Sequence, residues 1–368
     1  MRDVASDHAG NIYLAGGTDS RDFPTTQGVA QPALAGGTDV FVMKLDPQGR
    51  LLWSTLLGGP SDDRAYALEV DAEGYVYLGG RAGAGFPVTA GAFQTEFRGG
   101  PPVRGVYPSQ SGFVAKLSPD GRRVLFASYV GAFDDPSHPV RDIALTADGQ
   151  IYACTSTSTG NYPAAVRAAF RGGALSSRPG DKDGVVLKLK GDGSRVVWAT
   201  FLGGSSREQG ECSIRSGPDN SVTYMAVTTS PDAPTTPGAY DRTLDGPSDF
   251  YVVRLPADGS RLLWATYLGG SGPEDTETHG LAVDAAGHSY VVGGSTSTDF
   301  PTTAGALQRT YRGAGGQGTG ARSNHQGDAV VAKLSGDGRR LLAATYVGGR
   351  FGDAGEGVGL DARGNVYF

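Results

Sequence analysis

The sequence predicts an all-β protein built from tandem repeats of four antiparallel strands. Two series of tight, glycine-containing turns recur along the chain, and each turn joins two short segments in which apolar and polar residues alternate, as they do in strands. No amphipathic pattern at helical spacing persists, and no apolar stretch reaches the roughly 18 residues that a membrane-spanning helix needs. Several four-stranded repeats without helices favour a β-propeller over a parallel β-helix, which has shorter rungs.

The first turn series opens with Leu and carries Gly at its fifth position. Its five copies are LDPQGR (45–50), LSPDGR (117–122), LKGDGS (189–194), LPADGS (255–260) and LSGDGR (334–339). The glycines lie 72, 72, 66 and 79 residues apart, a spacing typical of repeat architectures. Strand-like segments flank each turn, such as FVMKL (41–45) before the first copy and LLWSTLLGG (51–59) after it.

The second turn series has six copies. Its turn positions are Gly10, Gly74, Gly149, Asn220, Gly287 and Gly364. Asn is well suited to replace Gly there, because it tolerates the left-handed backbone that such turns require. Six copies of one turn and five of the other predict five full units and one half unit.

We place these units in a single propeller domain of residues 1–368. The predicted boundaries are a half unit at 1–38, followed by units at 39–110, 111–182, 183–248, 249–327 and 328–368. The chain begins inside a strand pattern and stops at NVYF, where other copies continue for several residues. We therefore expect a fragment of a longer product, and of a larger propeller.

Net charge and cysteine content limit which binding partners and which cellular compartments are expected. The net charge of −6 disfavours a nucleic-acid partner, which would require a basic surface. Residues 1–30 show no basic start followed by an apolar segment, so no signal peptide is visible. Two cysteines, Cys154 and Cys212, are too few for a disulfide framework; we expect buried free thiols, with a bridge as the alternative.

Three stretches resemble the SBBP family, the "seven-bladed β-propeller" repeats of bacterial surface and secreted proteins. They are GNIYLAGGTDSRDFPTT (10–26), DVFVMKLDPQGRLLWSTLLGG (39–59) and YVVGGSTSTDFPTTAGALQ (290–308). The FPTT-type segment recurs as FPVT (86–89), YPAA (162–165), APTT (233–236) and FPTT (300–303), and the third repeat departs most, with YPAAVRAAF. The resemblance implies a propeller fold and an extracellular or cell-surface location, but no chemistry.

Long loops at one end of the repeats are the predicted binding face, because binding residues concentrate on loops of rigid scaffolds. One loop of each repeat is acidic. The acidic residues are Asp62, Asp63, Asp134, Asp135, Glu208, Glu211, Glu274, Asp275, Glu277, Asp353 and Glu356. We favour a solvated acidic surface; a calcium site and a site for a cationic group are the alternatives. No loop has the EF-hand spacing, and we predict no cofactor other than calcium.

Other recurring residues favour structural roles. Lys44, Lys116, Lys188, Arg254 and Lys333 share one position, which indicates ion pairs or buried stems rather than a ligand-binding ring. Trp53, Trp198 and Trp264 share another, which indicates packing between blades, with an exposed sugar-stacking platform as the alternative. His138 and His279 share a loop position, but no third ligand recurs with them to form a zinc site.

The sequence favours a non-enzymatic scaffold that binds a protein or carbohydrate ligand on the long-loop face. GxSxG, HExxH, P-loop and paired CxxC motifs are absent, and we assign no catalytic residue. A propeller-type glycosidase or lyase is one alternative, and it would need two suitably spaced carboxylates such as Asp63 and Glu274. A quinoprotein-like, cofactor-binding propeller is the other, which the acidic loops disfavour.

Overall fold

A computed structural model describes residues 1–100, 109–133, 135, 139–175, 178, 180–313 and 327–368. Two of the predicted loop residues, Asp134 and His138, lie outside the described residues. The contacts divide the chain into two compact units. Unit 1 comprises residues 1–171 and 187–199, and unit 2 comprises residues 172–186 and 200–368.

Four-stranded antiparallel sheets of consecutive strands make up the first half of the chain. The first sheet contains β1 (Asp3–Ser6), β2 (Ile12–Thr18), β3 (Asp39–Leu45) and β4 (Leu51–Leu57). The second contains β5 (Arg64–Val70), β6 (Val76–Ala82), β7 (Ser111–Leu117) and β8 (Val124–Val130). The third contains β9 (Asp142–Leu145), β10 (Ile151–Thr157), β11 (Asp183–Leu189) and β12 (Val196–Leu202). These are the propeller blades that the repeats predict.

Unit 2 continues the same pattern. The fourth sheet contains β13 (Glu208–Ser216), β14 (Val222–Thr228), β15 (Asp249–Leu255) and β16 (Trp264–Leu268). In the fifth, the first strand is interrupted into β17 (Glu274–Asp275) and β18 (Leu281–Val283), which both pair with β19 (Ser289–Ser295); β20 (Asp328–Leu334) and β21 (Leu341–Val347) complete it. A two-stranded sheet contains β22 (Gly359–Leu360) and β23 (Val366–Tyr367).

The sheets correct the predicted placement of the half repeat. β2 pairs with β3 over seven residue pairs, from Ile12 with Leu45 to Thr18 with Asp39. Residues 1–38 are therefore the first half of a complete sheet, and the two-stranded sheet is β22 with β23. Our unit boundaries fell within sheets because the long connection after each second strand joins two strands of one blade. That residues 1–368 form a single domain stays a prediction.

A short helix in the third repeat is a further departure from the all-strand prediction. α1 (Ala164–Ala169) is followed by a 3₁₀ turn (Phe170–Gly172). The departing segment YPAAVRAAF forms it, because its alanines favour helix and Pro163 is compatible with a helix start. Buried Phe170 packs on Tyr162 with ring centroids 5.2 Å apart. No helix among the described residues is long and apolar enough to span a bilayer.

The cysteines also differ from expectation. Cys154 and Cys212 are both disulfide-bonded, and no cysteine is free. The expectation of buried free thiols is therefore wrong. Sequence spacing does not reveal how close two strands of different repeats approach, so the Cβ geometry that a bridge requires could not be assessed from the sequence.

The turns adopt the backbone that the sequence predicts. Asn220, which replaces glycine in the second series, has a φ of 56°. The glycine of the first series serves a second purpose, because an aromatic side chain of the preceding blade packs on it. Trp53 donates from Nε1 to the carbonyl of Pro119 at 3.0 Å, and a Cβ atom on Gly121 would lie 2.6 Å from Cε3 of Trp53. Packing between blades is thus confirmed for this aromatic position.

The three tryptophans are at most 7% exposed, which excludes the sugar-stacking alternative for them. Trp264 repeats the arrangement of Trp53 in unit 2, donating from Nε1 to the carbonyl of Gly336 at 2.8 Å. A Cβ atom on Gly338 would lie 2.5 Å from Cδ2 of Trp264. Trp53 and Trp264 are therefore committed to packing between neighbouring blades of their own units.

Four of the five recurring bases form the structural ion pairs that we predicted, and Lys188 lies 5.3 Å from the ring centroid of Tyr152. Lys44 lies 3.5 Å from Asp7 of the adjacent turn and 4.8 Å from the ring centroid of Tyr13. Lys116 and Lys333 repeat this with Asp71 and Asp284, at 3.8 and 3.3 Å. The fourth blade has Gly217 at the position of this Asp, and there the longer Arg254 reaches Asp219 instead, at 3.1 Å.

The FPTT-bearing connections cover the outer edges of the sheets. In the first sheet, residues 23–31 run beside β4: Thr26 N donates to Ser54 O at 3.0 Å, and Leu56 N donates to Gln31 O at 2.9 Å. We call such a segment an edge strap. Unpaired strand edges promote aggregation, so the strap protects β4. The straps at 86–94, 233–241 and 300–308 make the corresponding Thr-to-carbonyl bonds, to Ala127, Ala265 and Ala344.

Replacing Gln31 with alanine is expected to destabilise unit 1 by about 1–3 kcal/mol, because buried groups lose their partners. Its Nε2 donates to Asp39 Oδ2 at 2.5 Å, and its Oε1 accepts from Gly58 N at 2.9 Å. Urea unfolding measures the effect. The matched control is Gln27→Ala in the same strap, since Gln27 is exposed and its side chain has no hydrogen bond with the described residues. Equal losses for the two variants would contradict the role of Gln31.

Candidate functional site

The acidic loop residues divide into a buried group and a more accessible group. Four of them are at most 1% exposed and begin or precede the first strand of their sheets. These are Asp63, Asp135, Glu208 and Glu274, which we call the corner carboxylates. Their burial contradicts our interpretation of these four residues as part of a solvated surface. Their binding role stays a prediction, although a group this buried has little surface to offer a ligand.

The corner carboxylates accept hydrogen bonds from the end of the second strand, and three of them, Asp63, Glu208 and Glu274, also accept from their own turn. Asp63 accepts from the amides of Gly59 at 2.7 Å and Gly83 at 2.9 Å. Glu274 accepts from Gly270 N at 3.3 Å and, through Oε1, from the hydroxyls of Ser295 and Ser297. Buried polar groups cost free energy unless they are paired, so these contacts are what allow the carboxylates to be buried.

The other two corner carboxylates, Glu208 and Asp135, are also satisfied by hydrogen bonds from the end of the second strand. Glu208 accepts from Gly204 N at 3.2 Å and from the hydroxyls of Thr228 and Ser230 at 2.9 and 2.8 Å. Asp135 accepts from the hydroxyl of Thr157 at 3.0 Å and the amide of Ser158 at 2.7 Å. The recurrence of these acids in the sequence thus reflects a repeated hydrogen-bonding task at the corners of the blades.

The remaining acidic residues are more accessible. Asp62, Glu211, Asp275, Glu277 and Asp353 are half-buried, and Glu356 is exposed. Glu211 accepts from the hydroxyl of Thr278 at 3.0 Å, and Asp353 accepts from the amide of Gly349 at 2.8 Å. Both contacts lie within unit 2; the first joins neighbouring sheets, and the second lies within one turn.

Sequence reasoning missed a second carboxylate beside three of the four corner carboxylates, which are Asp63, Glu208 and Glu274. It is the first residue of the third strand, and it is Asp39, Asp183, Asp249 or Asp328 in four of the five sheets. All four are buried. The sequence does contain a signal for this residue, because an aspartate lies two residues before the FVMKL-type segment in four of five copies.

Close packing of these carboxyls explains why each corner begins with glycine. A Cβ atom on Gly58 would lie 2.5 Å from Oδ1 of Asp39. In unit 2, a Cβ atom on Gly269 would lie 2.6 Å from Oε2 of Glu274 and would also meet Oδ1 of Asp249. A larger residue would therefore displace both carboxyl groups.

Burial raises the pKa of the paired acids. It raises the pKa of Asp63 to about 7, with the charge of Asp39 adding to the effect. It likewise raises the pKa of Asp183 to about 7, with Glu208 as the neighbouring charge. The pKa values of Asp249 and Glu274 are raised for the same reason. Ionising both carboxyl groups of one buried pair costs much free energy, because two like charges would then lie close together away from water.

Hydrogen bonding is consistent with a retained proton. The Oδ1 atoms of Asp39, Asp249 and Asp328 are buried without a hydrogen-bond donor. Glu274 and Asp249 lie beside each other at one corner, since a Cβ atom on Gly269 would meet both carboxyl groups. A protonated carboxyl can supply the donor that Oδ1 of Asp249 lacks. Burial of two neighbouring acids thus favours a retained proton at this corner.

The corners offer little to a metal ion. In the described part of the chain, no group of three or more His, Cys, Asp or Glu residues is placed to hold one. Each pair supplies two carboxyls whose oxygens are largely occupied by amides and hydroxyls. Calcium, which takes six to eight oxygen ligands, would have to displace these contacts.

An open groove of about 630 Å³ lies within unit 2. Its lining includes Arg254, Leu263, Trp264 and Arg339. Arg254 is committed to Asp219 and to the carbonyl of Gly287, and Trp264 is buried, whereas Leu263 and Arg339 are exposed. The groove is thus lined by an ion pair within the fourth sheet and by the contacts of Arg254 and Trp264 with the fifth sheet.

Comparisons with solved structures reveal likeness in fold alone. A protein of unknown function from Dyadobacter fermentans is 13% identical, with 94% of this chain and 81% of that chain covered and a TM-score of 0.44. The Dos1 propeller is 8% identical, with 89% and 70% covered and a TM-score of 0.40. A quinohemoprotein alcohol dehydrogenase from Comamonas testosteroni is 11% identical, with 97% and 62% covered and a TM-score of 0.41.

The comparison with protein families agrees with the sequence resemblance. No curated protein sequence matches the chain. The family match extends from β16, with its blade-packing Trp264, through the acidic corner of Glu274 to the start of the last edge strap at Phe300. Residues 263–301 of this chain match the model of the SBBP family, a beta-propeller repeat.

Proposed function

We propose that the chain is a non-enzymatic scaffold, located outside the cell or at its surface, that binds a carbohydrate or protein ligand. The observation that carries this proposal is the use of the recurring carboxylates. Asp63, Glu208 and Glu274 are buried and accept the hydrogen bonds of their own corners, so a substrate cannot reach them. A glycosidase needs carboxyl groups that flank the substrate bond.

Two further observations support the location. The SBBP-type repeat resembles those of bacterial surface and secreted proteins. Both cysteines are disulfide-bonded, and disulfides persist mainly in oxidising compartments. The binding face in this proposal is the end of the blades at which the acidic loops lie, because the straps along the outer edges are occupied by structural hydrogen bonds.

Affinity electrophoresis in gels containing single polysaccharides, combined with a product assay, tests this function. We expect at least one polysaccharide to retard the protein without release of reducing ends or unsaturated products. Asp63→Asn and Glu274→Gln should be retarded as strongly as the parent chain, with Glu73→Gln, an exposed acid, as the control. Product formation that is lost in either corner variant would show an enzyme instead. Parallel gels in calcium and in chelator test the calcium alternative.

A further inference from the structure

A cluster of three side chains recurs in the first, second and fifth sheets. In the first sheet, the hydroxyl of Tyr13 donates to Asp7 Oδ2 at 3.1 Å, and Lys44 lies over the Tyr13 ring and beside Asp7. The same contacts join Asp71, Tyr77 and Lys116 in the second sheet and Asp284, Tyr290 and Lys333 in the fifth. We call this arrangement the Asp–Tyr–Lys cluster. Its polar groups satisfy one another, so it offers little to a ligand.

The fourth sheet departs from this cluster at all three positions. Gly217 replaces the aspartate, Thr223 replaces the tyrosine and Arg254 replaces the lysine. The register supports this correspondence, because Thr223 pairs with Arg254 as Tyr13 pairs with Lys44. The hydroxyl of Thr223 is buried and has no hydrogen-bond partner among the described residues. Proteins give up such local satisfaction mainly at functional sites.

Arg254 makes a different set of contacts in place of the cluster. Its Nε donates to Oγ of Ser221 at 2.9 Å, its Nη1 to the carbonyl of Gly287 at 3.1 Å, and its Nη2 to Oδ1 of Asp219 at 3.1 Å. A Cβ atom on Gly217 would lie 3.0 Å from Nη2, and one on Gly287 would lie 2.5 Å from Nη1. Both glycines therefore admit the guanidinium group, which is fixed in one position.

The groove of about 630 Å³ in unit 2 is lined by this guanidinium group. Its apolar lining includes Leu262, Leu263 and Pro237, and the last two are exposed. Ligand sites typically occupy about 300–1,000 Å³ and combine apolar walls with a few fixed polar groups. The groove includes residues of both turn series, so it lies at the opposite end of the blades from the acidic loops.

The polar groups of the groove have unused hydrogen-bonding capacity. Asp219 and Asp337 use only Oδ1 in their hydrogen bonds with the described residues, which leaves Oδ2 of each carboxylate open. Hydrogen bonds from Ser221 and Ser335 lower the pKa of these two carboxyls, against the effect of burial, so both are ionised at neutral pH. Arg339 is exposed, and its guanidinium group has no ion pair or hydrogen bond within the described part of the chain.

Positive and negative groups balance in the groove, which has two arginines, Arg254 and Arg339, and two aspartates, Asp219 and Asp337. A ligand of either charge would therefore meet groups of its own sign. Carboxylates only accept hydrogen bonds and guanidinium groups only donate them, whereas a hydroxyl group does both. A neutral ligand rich in hydroxyl groups thus matches the groove. An extended peptide cannot add to this sheet edge as a strand, because Thr236 of the edge strap already donates to β16.

We propose that this groove binds a neutral sugar unit of a carbohydrate. The sugar hydroxyls donate to the open carboxylate oxygens of Asp219 and Asp337 and accept from Arg339. The C–H groups of the sugar lie on Leu263 and Pro237. This site goes beyond the binding face proposed above, because it lies at the other end of the blades.

A printed array of neutral and acidic glycans tests the site on the full chain, and titration calorimetry with the best neutral binder measures affinity. We expect binding of at least one neutral glycan and a loss of about tenfold or more in affinity for Leu263→Asp, which places a charge on the apolar wall. Leu52→Asp is the matched control and should bind like the parent chain, because Leu52 has the same repeat position in a sheet with an intact Asp–Tyr–Lys cluster and is likewise exposed. Failure of every neutral glycan to bind, or an equal loss in the two variants, would overturn the proposal.

A second pair of variants covers the case in which a charge at Leu263 unfolds the protein. Arg339→Gln should weaken binding several-fold, whereas Arg122→Gln, at the same position of the first turn series in unit 1, should not. The outcomes also separate the groove from the proposed scaffold function. Binding of acidic glycans alone would disprove the groove and leave that function intact, and so would binding of a neutral glycan that all four variants retain.

Discussion

Alanine at Gly121 is expected to destabilise the protein by about 2–4 kcal/mol, whereas alanine at Gly49 should cost only about 1 kcal/mol. The two glycines occupy the same position of the first turn series and have φ values of 69° and 80°. Both substitutions therefore introduce similar left-handed strain. They differ in packing, because a Cβ atom would lie 2.6 Å from Trp53 at Gly121 and would meet nothing within 4 Å at Gly49.

Chemical unfolding of the two single variants measures the difference, and a double variant identifies its cause. Trp53→Ala removes the ring that the new methyl group would strike, so the added cost of Gly121→Ala should fall to about that of Gly49→Ala in the Trp53→Ala background. An undiminished cost would mean that backbone strain, rather than contact between blades, sets the requirement for glycine. Gly338 in unit 2 provides an independent repeat of the test against Trp264.

The local features of this fold were accessible from sequence because they depend on short-range chemistry. Alternation of apolar and polar residues predicts the strands. The turn positions, including Asn220, are predictable because they require a left-handed backbone. The ion pairs of four recurring bases followed from the recurrence of a base in every repeat. The sequence does not show which four strands form one blade. A connection of 20 residues separates β2 from β3, and only the pairing register reveals that they are neighbours.

The candidate site was harder to predict, because burial decides what a charged residue does. Asp63 and Asp62 are adjacent in sequence, yet the former is buried under two amides and the latter is half-buried. The convergence of Arg2 and Arg141 on Tyr66 could not be predicted, because the two arginines share a repeat position but Tyr66 replaces them in the blade between. Such a cluster is recognisable only when three strands are placed side by side.

Stability is expected to fall by several kcal/mol as the pH rises from about 5 to 8, since one unit of pKa difference corresponds to about 1.4 kcal/mol. The corner acids retain protons in the folded state, with the pKa of Asp63 and Asp183 raised by burial to about 7. The unfolded chain binds fewer protons in this range, so rising pH favours unfolding. An acid whose pKa is raised in the folded state thus contributes stability that is fully present below about pH 4. This contribution is lost as the pH rises through about 7.

Other carboxylates set the acid limit of this profile. Although burial opposes it, hydrogen bonds from Asn11 and Tyr13 and the charge of Lys44 lower the pKa of Asp7 to about 2. Its contribution is present above about pH 4 and is lost as the pH falls toward 2. The stability maximum is therefore expected near pH 5, between the loss of these ion pairs and the ionisation of the corners.

Glu274→Gln assigns the alkaline part of the profile to a specific corner. The amide cannot ionise and has an N–H group to donate to Asp249, so the variant should be less sensitive to pH and more stable than the parent chain at pH 8. Glu73→Gln, at an exposed acid of the second turn series, should leave the profile unchanged. Melting temperatures from pH 4 to 9 compare the three proteins. If the parent chain is as stable at pH 8 as at pH 5, the corners do not hold protons, and the unpartnered oxygens of Asp39 and Asp249 require another donor.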